Sequence, residues 1–406
     1  MKILVINCGS SSLKYQLFDM DGEKVLAKGI CEAIGTNQSS AKGSSANGAE
    51  FKKVVDIPDH RVAFGIVKDA LTSGDTKVID RLDEIGAIGH RVVQGGDLFT
   101  ESTLVTDKVV EGIKSLIPLA PLHNAAHITG IECCTEVFGK DVPQVTVFDN
   151  AFHSTMPPTS YLFALPYEYY ENDHVRRYGA HGTSHRFVAY RAAELMGKDL
   201  KDFKLITCHL GNGASITAIK DGKVLDTSMG LTPLDGLPMG TRTGSIDPAI
   251  VGLLMDKKGF NTKEIDTYLN KKSGMLGVSG VSSDFRDLTA AINAGNERAL
   301  LAVKMLAYSI KKFIGAYAAA MNGVDVIVFT AGVGENITYL REWCLEGMEY
   351  LGVKLDKEKN NALASYKDVK DGFISAEDSK VKVVVIPTNE ELMIAMDTEE
   401  IVNSLK

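Results

Sequence analysis

Positive charge is in short supply in this 406-residue chain: 44 Lys and Arg stand against 52 Asp and Glu, for a formal charge of −8. That balance gives no electrostatic reason to bind nucleic acid or an anionic membrane, so any anionic ligand has to be held by local donors. Long apolar runs are also missing. No stretch approaches the roughly 18 residues that cross a bilayer, and the start, MKILVIN, turns polar after four apolar residues, too few for the core of a signal peptide. Cysteine is sparse. Cys8, Cys31, Cys133, Cys134, Cys208 and Cys344 show no CxxC spacing, which argues against a disulfide framework or a zinc site and fits a reducing cytosol. What is present, 45% hydrophobic and 24% charged residues, is the composition of a globular protein. A prior of roughly 150 residues per domain predicts two or three domains.

Val- and Ile-rich runs of strand length alternate with stretches of helical period. Lys2–Ile6, Tyr15–Phe18, Ile85–Ile88, Val142–Phe148, Lys204–Leu210, Asp325–Phe329 and Val381–Ile386 read as strands. Val62–Thr72, His185–Met196, Ala299–Met321 and Asn389–Ser404 read as helices, the last with Asn389 as N-cap and acids in its first turn. Alternation of this kind implies α/β layers. Gly35–Glu50 (GTNQSSAKGSSANGAE) has almost nothing to bury and reads as a flexible surface loop. Two segments echo each other. Leu4–Leu26 and Leu205–Leu225 each run strand, Gly/Ser/Asn turn, strand, Asp-Gly turn, strand, and Asp-Gly between alternating apolar residues is a strong hairpin signal. The echo implies duplicated halves facing a cleft, where tight turns of small residues offer backbone N–H groups to one phosphorylated ligand.

Several motifs suit that ligand. Asn7-Cys8-Gly9-Ser10-Ser11-Ser12-Leu13-Lys14 ends the first strand with a glycine, hydroxyls and a cation, and is not a GxxxxGK[ST] loop. His209-Leu210-Gly211-Asn212-Gly213 is its counterpart in the second half. Arg91, before Gly95-Gly96, and Arg242, within MGTRTG, supply paired guanidinium donors for phosphoryl oxygens. Phosphoryl transfer needs such charge stabilisation and alignment more than covalent chemistry. Asp149 follows a strand and Glu390 opens a helix; either, with the Asn7 amide, meets the modest needs of Mg²⁺. His181 and His185 sit among glycines that oppose a regular helix and a zinc pair, so an imidazole donating to a phosphoryl oxygen fits better. Thr330-Ala331-Gly332-Val333-Gly334-Glu335-Asn336 reads as a loop passing beneath adenine and ribose.

Taken in order, NxGSSSxK at 7–14, HRVVxGG at 90–96, APLHN at 120–124, FDxAFH at 148–153, RYGxHGTSH at 177–185, HLGNGxS at 209–215, MGTRxGxIDP at 239–248 and TAGxGEN at 330–336 resemble the acetate kinase family almost from end to end. The resemblance implies an α/β, duplicated two-lobe, actin-like (ribonuclease H-like) fold with an interdomain nucleotide cleft. One lobe would be 1–149 plus 388–406 and the other 150–387, with hinges near 149–151 and 386–389. It implies direct in-line transfer between ATP and acetate with Mg²⁺ (or Mn²⁺), in a cytoplasmic homodimer. Arg91 and Arg242 would stabilise the moving phosphoryl group, with His181 as a further donor and Asp149 as the essential acid. Asn7 and Glu390 would organise the metal. Lys14, His209, Gly211, Asn212 and Gly213 would hold the nucleotide phosphates. Asp284, Phe285, Arg286, Gly332, Val333, Gly334 and Asn336 would surround adenosine. Arg91, Val93, Leu122, Pro233 and position 180 would form the acyl site.

The sequence departs from the family at that acyl end. Ala180 replaces an aromatic wall, Gln94 stands where histidine is usual, Asn150 where threonine is, and HNAAH at 123–127 replaces HNPAN. Losing a phenyl ring removes on the order of 150 Å² of apolar contact, so a widened socket for propionate or another short acid is the alternative expectation. A nucleotide switch of the actin and heat-shock kind, without transfer, is a third. The two arginines count against it.

Overall fold

The computed structural model of the chain describes residues 1–364 and 370–405, the side chain of Leu122 excepted. The chain divides into two units, Met1–Phe152 with Asn389–Lys406, and His153–Thr388.

The first unit is built on an eight-stranded sheet of order β5-β4-β3-β2-β1-β6-β8-β7. Its strands are β1 (Lys2–Gly9), β2 (Ser12–Asp19), β3 (Lys24–Glu32), β4 (Ser40–Ser45), β5 (Glu50–Val54), β6 (Ile85–Val92), β7 (Thr103–Leu104) and β8 (Gln144–Phe148). β1 reads as a near-continuous apolar run because both its faces are covered. Leu4 and Ile6 pack with Phe64, Val67, Cys134 and Phe138 of the helices His60–Thr72 and Pro121–Phe138. Ile3 and Val5 pack with Ile394, Ala395 and Val402 of the helix Glu390–Asn403 on the other side.

The second unit holds a six-stranded sheet, β11-β10-β9-β12-β14-β13, from β9 (Leu205–Leu210), β10 (Ala214–Lys220), β11 (Lys223–Thr227), β12 (Val326–Thr330), β13 (Gly372–Phe373) and β14 (Lys382–Val385). Every residue of β9 and β12 is buried. The 25-residue helix Glu297–Met321 lays a stripe including Val303, Leu306, Ile310, Ile314 and Met321 into this core.

The echo in the sequence is architectural. In each unit an antiparallel meander (β1-β2-β3; β9-β10-β11) is followed by a strand that pairs parallel with the first (β6; β12) and a further parallel neighbour (β8; β14). The expected duplicated α/β fold is therefore the observed one. Residues 35–50 differ from expectation. They are not a flexible loop: β4 and the start of β5 lie here, extending the sheet antiparallel from β3. The strands owe little to their own side chains. The Tyr15 ring lies against Gly29 and reaches Gly43, where the Phe51 ring also sits, so close that a Cβ on Gly29 would stand 2.6 Å from Tyr15 Cε1 and one on Gly43 2.6 Å from Phe51 Cε1. Aromatic rings covering glycines supply the packing that the composition hid.

Candidate active site

In the first unit, β6 and β8 run parallel with Arg91 opposite Val147 and Val92 opposite Phe148. Arg91 and Asp149 thus emerge together at the carboxyl ends of adjacent strands, where α/β sheets present ligand-binding groups. The Asp149 N–H donates to the Val92 carbonyl at 2.9 Å. Its carboxylate, 1% exposed, accepts from Arg91 Nε at 3.1 Å to both oxygens and from Nη2 at 2.6 Å. This fork fixes the plane of the guanidinium, and the neighbouring carboxylate pushes the Arg91 pKa further up. Arg91 also lines a cavity of about 450 Å³ with Asn7, Lys14, Glu390 and Glu391. Glu390 arrives there because Asn389 caps the last helix, accepting the Leu392 N–H at 3.0 Å. Burial pushes the Glu390 carboxyl up to about 7, with the Arg91 charge opposing.

Of the residues that depart from the family pattern, Gln94, His127 and Asn150 gather behind Arg91. Asn150 Oδ1 accepts the Gly95 N–H at 2.7 Å and its Nδ2 donates to the Gly96 carbonyl at 2.8 Å. Gln94 Oε1 accepts the Gly96 N–H at 2.8 Å, and Asn124 Nδ2 donates to the Gln94 carbonyl at 2.9 Å. His127 Nε2 accepts the Val93 N–H at 3.2 Å. Burial and the Arg91 charge push the His127 pKa down to about 3, so its ring is neutral and can accept. Val93 is half-buried in this loop, and Leu122 lies on the helix Pro121–Phe138 with its side chain outside the described residues.

In the second unit, His181 holds a left-handed backbone (φ 59°) as N-cap of the helix Gly182–Met196. The glycines therefore do not prevent a helix, as the sequence reading expected. Gly182 starts it, and the strained turn falls on His181 itself. The His181 and His209 rings stack with centroids 4.1 Å apart. Gly213, in the β9–β10 turn, lets two cationic or donor groups approach the chain: a Cβ there would stand 3.3 Å from His181 Nε2 and 3.5 Å from Arg242 Nη1. Arg242 Nη1 donates to the Pro233 carbonyl at 3.3 Å, and its guanidinium pKa is lowered by burial. Ala180 is 5% exposed and belongs to the core cluster of this unit.

A second cavity, about 470 Å³, gathers Gly211, Asn212, Asp284, Phe285, Arg286, Gly332, Val333 and Asn336. Asp284 caps the helix Phe285–Asn293, accepting the Arg286 N–H at 2.8 Å, and it pairs with the Arg286 guanidinium, Nε to Oδ1 at 3.0 Å. The TAGVGEN segment is a short helix, Ala331–Asn336, not a loop, entered through Ala331 at φ 64°. Asn336 Nδ2 donates to the Gly332 carbonyl at 2.9 Å, while its Oδ1 is buried without a hydrogen-bond partner. Gly334 is buried against Leu210 rather than lining the cavity.

Residues that sequence reasoning passed over, and His185, which it read only together with His181, support these groups. Ser215, His185 and Thr207 stand behind His181, and Ser184 and Thr388 behind His209. Arg341 is fully buried and donates to the Gly334 and Glu335 carbonyls at 2.9 and 2.7 Å, bracing the helix Ala331–Asn336. The i, i+4 spacing of His181 and His185 was the only signal available for them. As to a metal, no three His, Cys, Asp or Glu gather to hold one among the described residues. Mg²⁺ takes only one or two protein oxygens beside waters and phosphate oxygens, and the carboxylate and amide of Glu390 and Asn7 on one cavity wall fit that demand.

Residues 2–396 match the acetokinase family. The acetate kinase of Caldanaerobacter subterraneus subsp. tengcongensis is 56% identical over 407 residues, covering 100% of both chains. The crystal structure of Porphyromonas gingivalis acetate kinase superposes with a TM-score of 0.95 at 47% identity, covering 99% of each chain. That of a propionate kinase from Francisella tularensis gives a TM-score of 0.90 at 41% identity, over 98% of this chain and 99% of the other.

Proposed function

The chain belongs to the acetokinase family, and from that premise we propose how its residues carry the transfer of a phosphoryl group from ATP to acetate. It is an ATP:acetate phosphotransferase with an actin-like two-domain kinase fold. A carboxylate oxygen of acetate attacks the γ-phosphorus, the bond from that phosphorus to the β–γ bridging oxygen breaks, and ADP leaves with the electron pair. Acetate is already ionised at neutral pH, so no base is needed. The obstacle is repulsion between two anions, and charge stabilisation is the remedy.

Arg91 and Arg242 meet that need, with His181 donating to a phosphoryl oxygen. Asp149, buried under the Arg91 fork, is the essential acidic residue and holds the guanidinium in place. Lys14, His209, Gly211, Asn212 and Gly213 hold the nucleotide phosphates. Asp284, Phe285, Arg286, Gly332, Val333 and Asn336 take adenosine, with Gly334 packed beneath them, and the observation supporting this most is the convergence of those six with Gly211 and Asn212 on one cavity. Asn7 and Glu390 would hold Mg²⁺ through water, and the ion would supply further neutralisation of the phosphate charge. Of the residues expected at the acyl end, Val93 belongs to the first unit and Pro233 and Ala180 to the second, and the missing aromatic ring at position 180 favours a second reading in which propionate is also accepted. A homodimer belongs to the same proposal, with exposed Leu301, Tyr308 and Tyr350 of the second unit as apolar surface for it.

Trapping acyl phosphate with hydroxylamine tests both readings together. The wild type should turn over acetate, with propionate measurably used. Arg91→Ala and Arg242→Ala should each lower kcat by roughly 10²–10³ with smaller changes in the KM for ATP. Near-normal turnover by either variant removes that arginine from the mechanism, and strict acetate use removes the widened socket.

A further inference from the structure

Ser215 Oγ lies 2.8 Å from His181 Nδ1 and 2.7 Å from His185 Nε2, and His185 Nδ1 lies 2.7 Å from Thr207 Oγ1. Ser215, His185 and Thr207 are all 0% exposed, so no solvent completes their hydrogen bonding. Burial, together with the neighbouring histidines, holds the His185 pKa well below its ordinary value, so the ring is neutral and has one N–H. A hydroxyl also has one hydrogen. These two facts leave the chain Thr207–His185–Ser215–His181 two arrangements that run in a single direction, because a third, in which both imidazoles donate to Ser215, leaves the buried Ser215 hydrogen without an acceptor among the described residues.

In the first, His181 Nδ1–H donates to Ser215, Ser215 to His185 Nε2, and His185 Nδ1–H to Thr207. The Thr207 hydrogen is then left over, and its hydroxyl reaches no second group among the described residues. An orphaned buried donor is strongly disfavoured, because it forfeits its bonds to water and gains none in the protein. In the second arrangement, Thr207 donates to His185 Nδ1, His185 Nε2–H donates to Ser215, and Ser215 donates to His181 Nδ1. Every hydrogen is used. The proton of neutral His181 then sits on Nε2, the atom beside Gly213 and the Arg242 guanidinium.

We propose that Thr207, acting through His185 and Ser215, is a positioning residue that fixes His181 as the Nε2–H tautomer, the form that can donate to the transferring phosphoryl group. The inference rests on the reading of His181 given above, and deepens it. A matching device stands beside it. Ser184 Oγ lies 2.7 Å from both His209 Nδ1 and Thr388 Oγ1, so the two stacked rings each meet a serine hydroxyl at Nδ1. For His181 the direction is set three residues along the chain, at Thr207, through Ser215 and His185.

Nitrogen-15 NMR of the imidazole side chains in the full-length protein reads the tautomer directly, with His181→Gln assigning the signals. The wild type should show a protonated Nε2 and a bare, hydrogen-bonded Nδ1 for His181. Thr207→Val keeps the shape and removes the donor, and should mix the two tautomers. It should lower kcat about three- to tenfold, the counterpart of roughly 1 kcal/mol, with the KM for ATP changed less than twofold. Thr207→Ser should restore both signals and rate. Ser215→Ala should also mix the tautomers and Ser215→Thr retain the wild-type form, which guards against a Thr207→Val protein that fails to fold. A wild-type His181 protonated on Nδ1, or an unchanged spectrum in both Thr207→Val and Ser215→Ala, overturns the inference. Mixed tautomers with full kcat would leave the tautomer assignment standing and instead remove His181 as a phosphoryl donor.

Discussion

At the scale of single residues, the departures of this chain from its family are partners of one another. Gln94 and Asn150 look like separate losses at the acyl end, yet both bind the backbone of Gly96, Asn150 that of Gly95 as well, while His127 takes the neighbouring Val93 N–H. Three side chains satisfy one buried loop that follows directly on Arg91. Removing one partner leaves buried backbone groups unsatisfied, at about 1–3 kcal/mol each. Asn150→Ala, which strands both the Gly95 N–H and the Gly96 carbonyl, should therefore lower urea-unfolding stability by roughly 2–4 kcal/mol. Gln94→Ala should cost about half as much. Because both act on Gly96, the double variant should show a coupling of at least ~0.5 kcal/mol. Strict additivity would mean that the two amides support the loop independently. None of this was legible in the sequence, where each side chain is simply polar. That Arg91 and Asp149 each stand at the end of a strand was legible, because apolar runs that stop at a charge announce strand ends; their pairing with each other was not.

At the scale of elements, the start of the helix Glu390–Asn403 places a carboxyl where folding alone would not. Burial outweighs the helix N-terminus and the Arg91 guanidinium, and lifts Glu390 from an ordinary 4.5 to about 7. A raised carboxyl pKa means that the folded protein keeps a proton which the unfolded chain has lost. Stability therefore falls as pH rises through the window from 4.5 to 7, and above it the charged form is held at a cost. Glu390→Gln should raise the thermal midpoint of the metal-free protein by a few degrees at pH 8, little at pH 5, and impair turnover at both. A midpoint gain of equal size at the two pH values would assign the effect to packing rather than charge. Elements of this kind, an Asn cap with acids after a strand, could be read from sequence, as could the Asp-Gly hairpins. β4 could not. Its serines, alanine and one glycine have little strand preference, and the Tyr15 and Phe51 rings that reach Gly43 come from β2 and β5.

At the scale of the whole molecule, both units rely on histidines that folding keeps neutral. Burial lowers His90 to about 4 and His127 to about 3 in the first unit. In the second, it lowers His153 to about 3 and His185 well below 6.5. The duplication was legible as a repeated grammar of turns. This shared liability was not, because a histidine in a sequence carries no mark of whether a helix will cover it. The sign follows from the direction of the shifts. Below about 6.5 the unfolded chain takes up protons that the folded chain refuses, so the stability these groups contribute is complete above 6.5 and is lost as pH falls toward 4 and 3. Four such groups give a limiting slope of about 5 kcal/mol per pH unit, at 1.36 kcal/mol per proton. Glu390 works the other way between 7 and 4.5, taking about one proton off that slope at the upper end of the window. Urea unfolding measured from pH 7.5 to 4.5 should show a midpoint that changes little above 6.5 and drops steeply below 6, with two to four protons taken up on unfolding near pH 5. His153→Gln should remove close to one of them. An uptake below one proton would mean that the histidine sites open to solvent in the folded state, and the fixed tautomer chain behind His181 would lose the dry surroundings on which it depends.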